Sequence, residues 1–154
     1  MYSTLLFFHS GFRWLVLAGL VYSLSGAYTG ISNHRPFTKT DNAVRHWTAT
    51  ISHIQLTLGV TLYFVSPIIK YFLSQTKEAI QHLDIAFFGL IHSTIMFAAV
   101  VIITIGSSLA KRKATDREKF TTIAVWFSIA LLLLFAAIPW PFSPLASRPY
   151  FRPY

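Results

Sequence analysis

Three histidines, His9, His53 and His92, lie in three different apolar stretches of the chain. An ionisable side chain inside a membrane-spanning segment is costly and usually marks a functional site. A neutral imidazole at such a depth can ligate a metal through one ring nitrogen. Arg13 follows His9 by four residues, so both side chains project from one face of a helix. The spacing therefore indicates a metal or cofactor site with a cation beside it.

The elements that would position these residues are four long apolar segments. Of the 154 residues, 54% are hydrophobic and 12% are charged, whereas an ordinary soluble domain has about 25% charged residues. Each segment has a length close to the ~20 residues that cross a membrane. The segments cover residues 4–28, 47–69, 85–107 and 120–140. We therefore expect an all-α membrane protein, with a four-transmembrane-helix bundle at 1–142 and a Pro- and aromatic-rich external tail at 143–154.

The basic residues lie mainly in two connections between the expected spans. Residues 29–46 and 108–119 carry eight of the 13 Lys and Arg. The positive-inside rule puts both connections in the cytoplasm and both termini outside, an N-out/C-out topology. Basic clusters beside spans contact anionic lipid of the bilayer. The net charge of +8 therefore does not indicate a nucleic-acid partner.

Local signals predict where the helices begin, bend and end. Thr40, Asp41 and Asn42 supply an N-cap for the second helix. Ser66–Pro67 predicts a kink or an end in that helix, followed by a short interfacial segment at Ile68–Leu73. A cluster of small residues, Gly106–Ser107–Ser108, predicts the end of the third helix.

Composition narrows the chemistry of the histidines. The chain has no cysteine, which removes thiolate metal sites, iron–sulfur clusters and covalently attached c-type haem. Zinc prefers three or four clustered ligands, and copper usually brings Cys or several Met. A proton relay would normally include intramembrane Asp or Glu, which the span interiors lack. Haem b commonly takes one imidazole from each of two helices in an apolar pocket, so we expect haem b as the cofactor.

Depth along the helices favours one pair of histidines. His9 lies about 6 Å below the outer end of its span and His92 about 10 Å, whereas His53 lies roughly 20 Å from that surface. His9 and His92 are the preferred ligands of the haem iron, and His53 is an alternative ligand. His53 belongs to a stripe with Thr50 and Thr57, and Gln55 lies on another face of the same helix. The fourth span carries no histidine and is not expected to donate a ligand.

Arg13 would neutralise a propionate of the cofactor or extend to a lipid phosphate. Its depth requires such an anion or a path to the headgroups, because an isolated cation in a span is unfavourable. The acids nearest that side of the membrane are Glu78 and Asp84. The candidate cofactor-binding residues are therefore His9, His53, His92 and Arg13.

Four ordered sequence blocks, His9–Leu17, Ser52–Leu56, Ile102–Gly106 and Ala136–Phe142, carry a resemblance to a known group of proteins. Together they resemble a family of short four-span bacterial membrane proteins commonly labelled cytochrome b. The resemblance covers nearly all of the chain up to the aromatic tail. It implies that the bacterial cytoplasmic (inner) membrane is the location, and that the three histidines and Arg13 are the site residues.

The leading hypothesis is a cytochrome b-like electron-transfer protein or subunit that holds one haem b. Its partners would be the lipid bilayer, a quinone or a redox subunit, and other proteins of a membrane complex. The sequence contains no separate catalytic constellation, so an electron-transfer subunit is favoured over a stand-alone enzyme. One alternative is a cofactor-free accessory subunit whose histidines only make hydrogen bonds. Another is an ion or proton conduit along the Thr50–His53–Thr57 stripe.

Overall fold

A computed structural model describes residues 1–150, and within this range the chain forms helices and no strand. The prediction of an all-α protein is confirmed. The helices are α1 Tyr2–Ser32, α2 Lys39–Val65, α3 Pro67–Ser74, α4 Thr76–Ala79, α5 Leu83–Ala86, a π-helical turn at Phe87–His92, α6 Ser93–Arg112 and α7 Asp116–Ala137.

Three helical segments within the described residues are long and apolar enough to cross a membrane. They are α1, the segment Leu83–Arg112 that joins α5 to α6 through the π turn, and α7. A fourth span is obtained if α2 and α3 count as one segment, although the two are bent by 60° at Ser66. The helices are therefore compatible with a membrane protein.

The long helices pack on one another in pairs. α1 contacts α2 and α7, and α6 contacts the same two helices. Fully buried side chains between them include Leu20, Ile103 and Phe127. The α6–α7 contact is close because Gly106 faces Trp126, leaving no space for a Cβ atom at that glycine. Small residues permit such approach between membrane helices.

The bend after α2 is where the sequence predicts it. Ser66 has an extended backbone, with ψ at 129°, and Pro67 opens α3. Proline lacks the N–H that would continue the hydrogen-bond ladder, and it disfavours helical conformation in the residue before it. The short segment that follows is the eight-residue helix α3, as expected for Ile68–Leu73.

The predicted cap of α2 and the predicted end of α6 are wrong. Thr38, not Thr40, caps α2, since its side chain accepts from the Asp41 N–H while Asp41 accepts from the Thr38 N–H. α6 continues through Gly106–Ser107–Ser108 to Arg112. Gly106 and Ser107 are buried, whereas Ser108 is exposed. The Ser107 carbonyl and hydroxyl both accept from the buried Arg45.

The described part of the predicted tail folds back toward α1. Ala146 is buried, and the Tyr150 ring lies 6.3 Å from the Trp14 ring and 6.5 Å from the Trp140 ring. The remaining tail residues, 151–154, lie outside the described residues.

Candidate functional site

A cavity of about 630 Å³ opens between α1, α2, the π turn and the end of α7. Its walls are mainly apolar, and its polar lining includes His9, His92, Arg13, Gln55 and Arg148. Cavities of roughly 300–1,000 Å³ with a few placed polar groups are typical of cofactor and small-molecule sites. Two of the three predicted histidines therefore share one cavity with the predicted arginine.

The imidazoles of His9 and His92 lie next to each other, and both line this cavity. Their ring centres are 6.3 Å apart and their planes cross at 74°. His92 Nδ1 lies 2.8 Å from the Ala137 carbonyl oxygen. A carbonyl can only accept, so Nδ1 carries the proton and Nε2 of the neutral ring is left as an electron-pair donor. His9 Nδ1 is buried with no hydrogen-bond partner among residues 1–150.

The π turn holds the His92 ring from one side. The rings of Phe87 and Phe88 lie 5.7 and 6.0 Å from the imidazole. Tyr63 of α2 donates a hydrogen bond of 3.0 Å to the Gly89 carbonyl, which ties the turn to α2. Isolated π turns within α-helices frequently occur at functional sites.

The His9 ring is held by α2. Gly59 lies against it, because a Cβ atom at that glycine would be 3.1 Å from His9 Cε1. Gln55 Nε2 donates to the His9 carbonyl at 2.9 Å, while Gln55 Oε1 is buried with no partner within the described range. The cavity-facing side of α2 is therefore the Ser52–Gln55–Gly59 face.

His53 lies apart from the other two histidines. Its side chain is exposed and does not line the cavity. His53 Nε2 is 2.8 Å from Thr104 Oγ1, and the Thr104 hydroxyl donates to the Val100 carbonyl. Thr104 must then accept from His53, so Nε2 is the protonated nitrogen. Thr57, on the same stripe, donates to the His53 carbonyl.

Arg13 contacts the tail. Its Nη2 donates to the Pro149 carbonyl at 3.2 Å and to the Tyr150 carbonyl, and its guanidinium carbon lies 5.4 Å from the Trp14 ring centre. Both of these acceptors are main-chain carbonyls. Glu78 and Asp84, the acids considered from the sequence, do not line the cavity.

Arg148 and Gln55 are cavity residues that the sequence did not single out. The Arg148 guanidinium carbon lies 5.0 Å from the Phe88 ring centre, because the tail returns to the cavity mouth. Among residues 1–150, two arginines and two histidines line the cavity, and no Asp or Glu does. The described part of the lining therefore offers cationic and imidazole groups to a ligand.

The donor set suits a metal that takes two imidazoles. Within residues 1–150, no group of three or more His, Cys, Asp or Glu lies close enough together to hold a metal ion. Imidazoles bound on opposite sides of one metal, at metal–nitrogen distances of about 2.0–2.1 Å, have ring centres about 6–6.5 Å apart. The 6.3 Å between the His9 and His92 rings falls in this range.

Comparison of the chain with protein-family models, curated proteins and solved structures finds no match.

Proposed function

We propose that this chain is a cytochrome b-like electron-transfer protein in which His9 and His92 hold one haem b. The observation that carries the proposal is the pair of imidazoles from two helices, with ring centres 6.3 Å apart, that both line a largely apolar cavity. Haem b in membrane proteins commonly takes one imidazole from each of two helices. When bound, the haem supplies one-electron chemistry, because its iron alternates between the ferrous and ferric states.

The chain's own residues prepare His92 as a ligand and limit the position of the His9 ring. The bond from His92 Nδ1 to the Ala137 carbonyl sets the tautomer, fixes the ring orientation and raises the basicity of Nε2. Such a partner on the second ring nitrogen accompanies nearly every metal-ligating histidine. Gly59 limits the position of the His9 ring from the α2 side. A neutral imidazole is the form that ligates a metal, and the walls around both rings are mainly apolar.

Charge in the cavity supports a ligand that carries carboxylates. Arg13 and Arg148 both line the cavity, and none of its lining residues within 1–150 is acidic. The two propionates of haem b would bring the complementary charge. Charge-assisted hydrogen bonds from a guanidinium to a carboxylate are among the stronger ones in proteins. Arg13 and Arg148 would therefore bind the propionates, and the tail would cover that edge of the cofactor.

The membrane arrangement that goes with this function is a four-transmembrane-helix bundle with both termini outside. It is supported by the pairing of α1 and α6 with α2 and α7. It is also supported by the basic residues of segments 29–46 and 108–119, which lie at the end of these helices away from the two termini. The resemblance to short four-span proteins supports the bacterial cytoplasmic membrane as the location. Electrons would pass to or from a quinol or a partner redox subunit, and the cofactor would perform the redox chemistry.

The test is an optical spectrum of protein purified from haem-replete membranes, with and without dithionite. We expect a Soret band and reduced α and β bands in the wild type. His9→Ala and His92→Ala should each lose most of the haem. His53→Ala is the matched control and should retain it, because the His53 ring contacts Thr104 outside the cavity.

Folded wild-type protein without a Soret band would overturn the haem proposal. It would favour the cofactor-free accessory subunit, in which the histidines only make hydrogen bonds. Equal haem loss in His53→Ala would instead contradict the assignment of the ligands to His9 and His92.

A further inference from the structure

A second hollow, of about 280 Å³, lies at the opposite end of the long helices from the histidine cavity. It is formed where α2 begins, α6 ends and α7 begins. Its lining residues are Phe37, Thr38, Lys39, Asn42, Ala110, Lys111 and Lys119. In the proposed topology this end faces the cytoplasm.

Three lysines from three different helices converge on this hollow. Lys39 begins α2, Lys111 lies in the last turn of α6, and Lys119 lies in the first turn of α7. None of the lining residues that the structure describes is acidic. Lys39 and Lys111 form no ion pair with any residue of the described range. The hollow is therefore a site of concentrated positive charge.

Neighbouring carboxylates are engaged elsewhere or are weak partners. Asp41 forms a bidentate pair with Arg35, with both nitrogen–oxygen distances at 2.7 Å. This pairing raises the pKa of Arg35 and commits the carboxylate. Glu118 accepts from the main chain and side chain of its N-cap residue. Lys119 lies 3.5 Å from Asp116, a long, partly exposed contact that leaves its ammonium able to bind another anion.

The hollow also has an apolar floor and an amide donor. Phe37 packs on the buried Phe120 with ring centres 5.0 Å apart, and Ala110 is buried beside them. Asn42 Oδ1 accepts from Arg45, so its NH₂ group is the part that can serve a ligand. A group that carries a phosphate and is attached to apolar chains matches both surfaces.

We propose that this hollow binds the phosphate of an anionic phospholipid headgroup through Lys39, Lys111 and Lys119. Basic pockets between helix ends on the cytoplasmic side of membrane proteins bind such headgroups. The lysines bind the phosphate, and the half-buried Phe37 contacts the first carbons of the lipid. A free phosphate has the same anionic chemistry but would not use the apolar floor.

The experiment uses the full-length protein, delipidated in neutral detergent and titrated with phosphatidylglycerol or phosphatidylcholine. Binding is followed by native mass spectrometry. We expect the wild type to bind phosphatidylglycerol at least about tenfold more tightly than phosphatidylcholine. The triple variant K39Q/K111Q/K119Q should lose this preference. The variant K70Q/K77Q, whose lysines lie near the other end of the helices, is the matched control and should keep it.

Three outcomes would overturn the proposal. One is an unchanged lipid preference in the triple variant, and another is an equal loss of preference in the control variant. The third is displacement of phosphatidylglycerol by an equal concentration of inorganic phosphate, since this would show that the apolar floor adds nothing to binding and that a free anion is the ligand. Size-exclusion chromatography would check that the triple variant is folded. The same check would be applied to the charge-retaining variant K39R/K111R/K119R. The arginine variant should keep the preference.

Discussion

Gly59 offers a sharp test of how the His9 ring is held. In Gly59→Ala, the new Cβ atom would lie 3.1 Å from His9 Cε1 and 3.6 Å from His9 Nδ1. Carbon atoms in contact prefer about 3.5–4.0 Å. The imidazole must therefore retreat by ~0.4 Å or more, because α2 is tied to the π turn and cannot easily move away.

A displacement of this size is large for a metal ligand. Metal–ligand distances in well-formed sites vary by only about ±0.2 Å, and disturbing a group that orients a ligand typically costs 10–100-fold in affinity. We expect Gly59→Ala to weaken haem binding by about tenfold, at the lower end of this range. The assay is titration of the haem-free protein with hemin, followed at the Soret band.

Gly11→Ala is the matched control for this prediction. It makes the same substitution in a helix, but a Cβ atom at Gly11 would have nothing within 4 Å among the described residues. Its haem affinity should equal that of the wild type. If Gly59→Ala also binds haem within about twofold of the wild type, the predicted steric coupling of Gly59 to the ligand is refuted.

Three other predictions concern the fold and the tail. Gly106→Ala should lower the free energy of unfolding by about 1–3 kcal/mol, since a new Cβ would overlap Trp126. Thermal unfolding in detergent measures this loss, and unchanged stability would contradict the close α6–α7 packing. Thr38→Ala should lower the free energy of unfolding by about 1 kcal/mol through loss of the capping box, whereas Thr40→Ala should have little effect. Equal losses of stability in the two variants would contradict Thr38 as the cap. Arg13→Gln should speed chymotrypsin cleavage after Tyr150 severalfold, because Arg13 donates hydrogen bonds to the tail carbonyls. The control variant Arg112→Gln should be cleaved at the wild-type rate, and unchanged cleavage in Arg13→Gln would refute the tail contact.

Hydropathy and proline chemistry predict the helices well because both act locally. A long apolar segment satisfies its backbone hydrogen bonds within one helix, and Pro67 interrupts the ladder wherever the helix lies. The caps and ends are harder to predict. Two threonines, Thr38 and Thr40, lie on either side of the first residue of α2, and the geometry of the turn selects Thr38 as the cap. Gly106 and Ser107 resemble a helix end, yet in a membrane helix small residues also mark a packing face.

The sequence predicts which residues of the candidate site lie together only where they share a helix or lie at a similar depth in the membrane. Depth estimates place His9 near His92, and the structure brings their rings together. Gln55 was not recognised because the cavity-facing side of α2 depends on how this helix is rotated against α1. The sequence does not identify Arg148 as a cavity residue, because Arg148 belongs to a tail that contacts α1, more than a hundred residues earlier in the chain. Local sequence patterns do not encode such a distant contact.

The most direct test of the central claim is the low-temperature electron paramagnetic resonance spectrum of the ferric protein purified from haem-replete membranes. Two imidazoles on one haem iron give a low-spin ferric centre. Ring planes that cross at 74° should make its g tensor strongly anisotropic. We predict such a low-spin signal in the wild type and in His53→Ala, and its loss in His9→Ala and His92→Ala. A purely high-spin signal, or no haem signal from folded protein, would contradict ligation by His9 and His92.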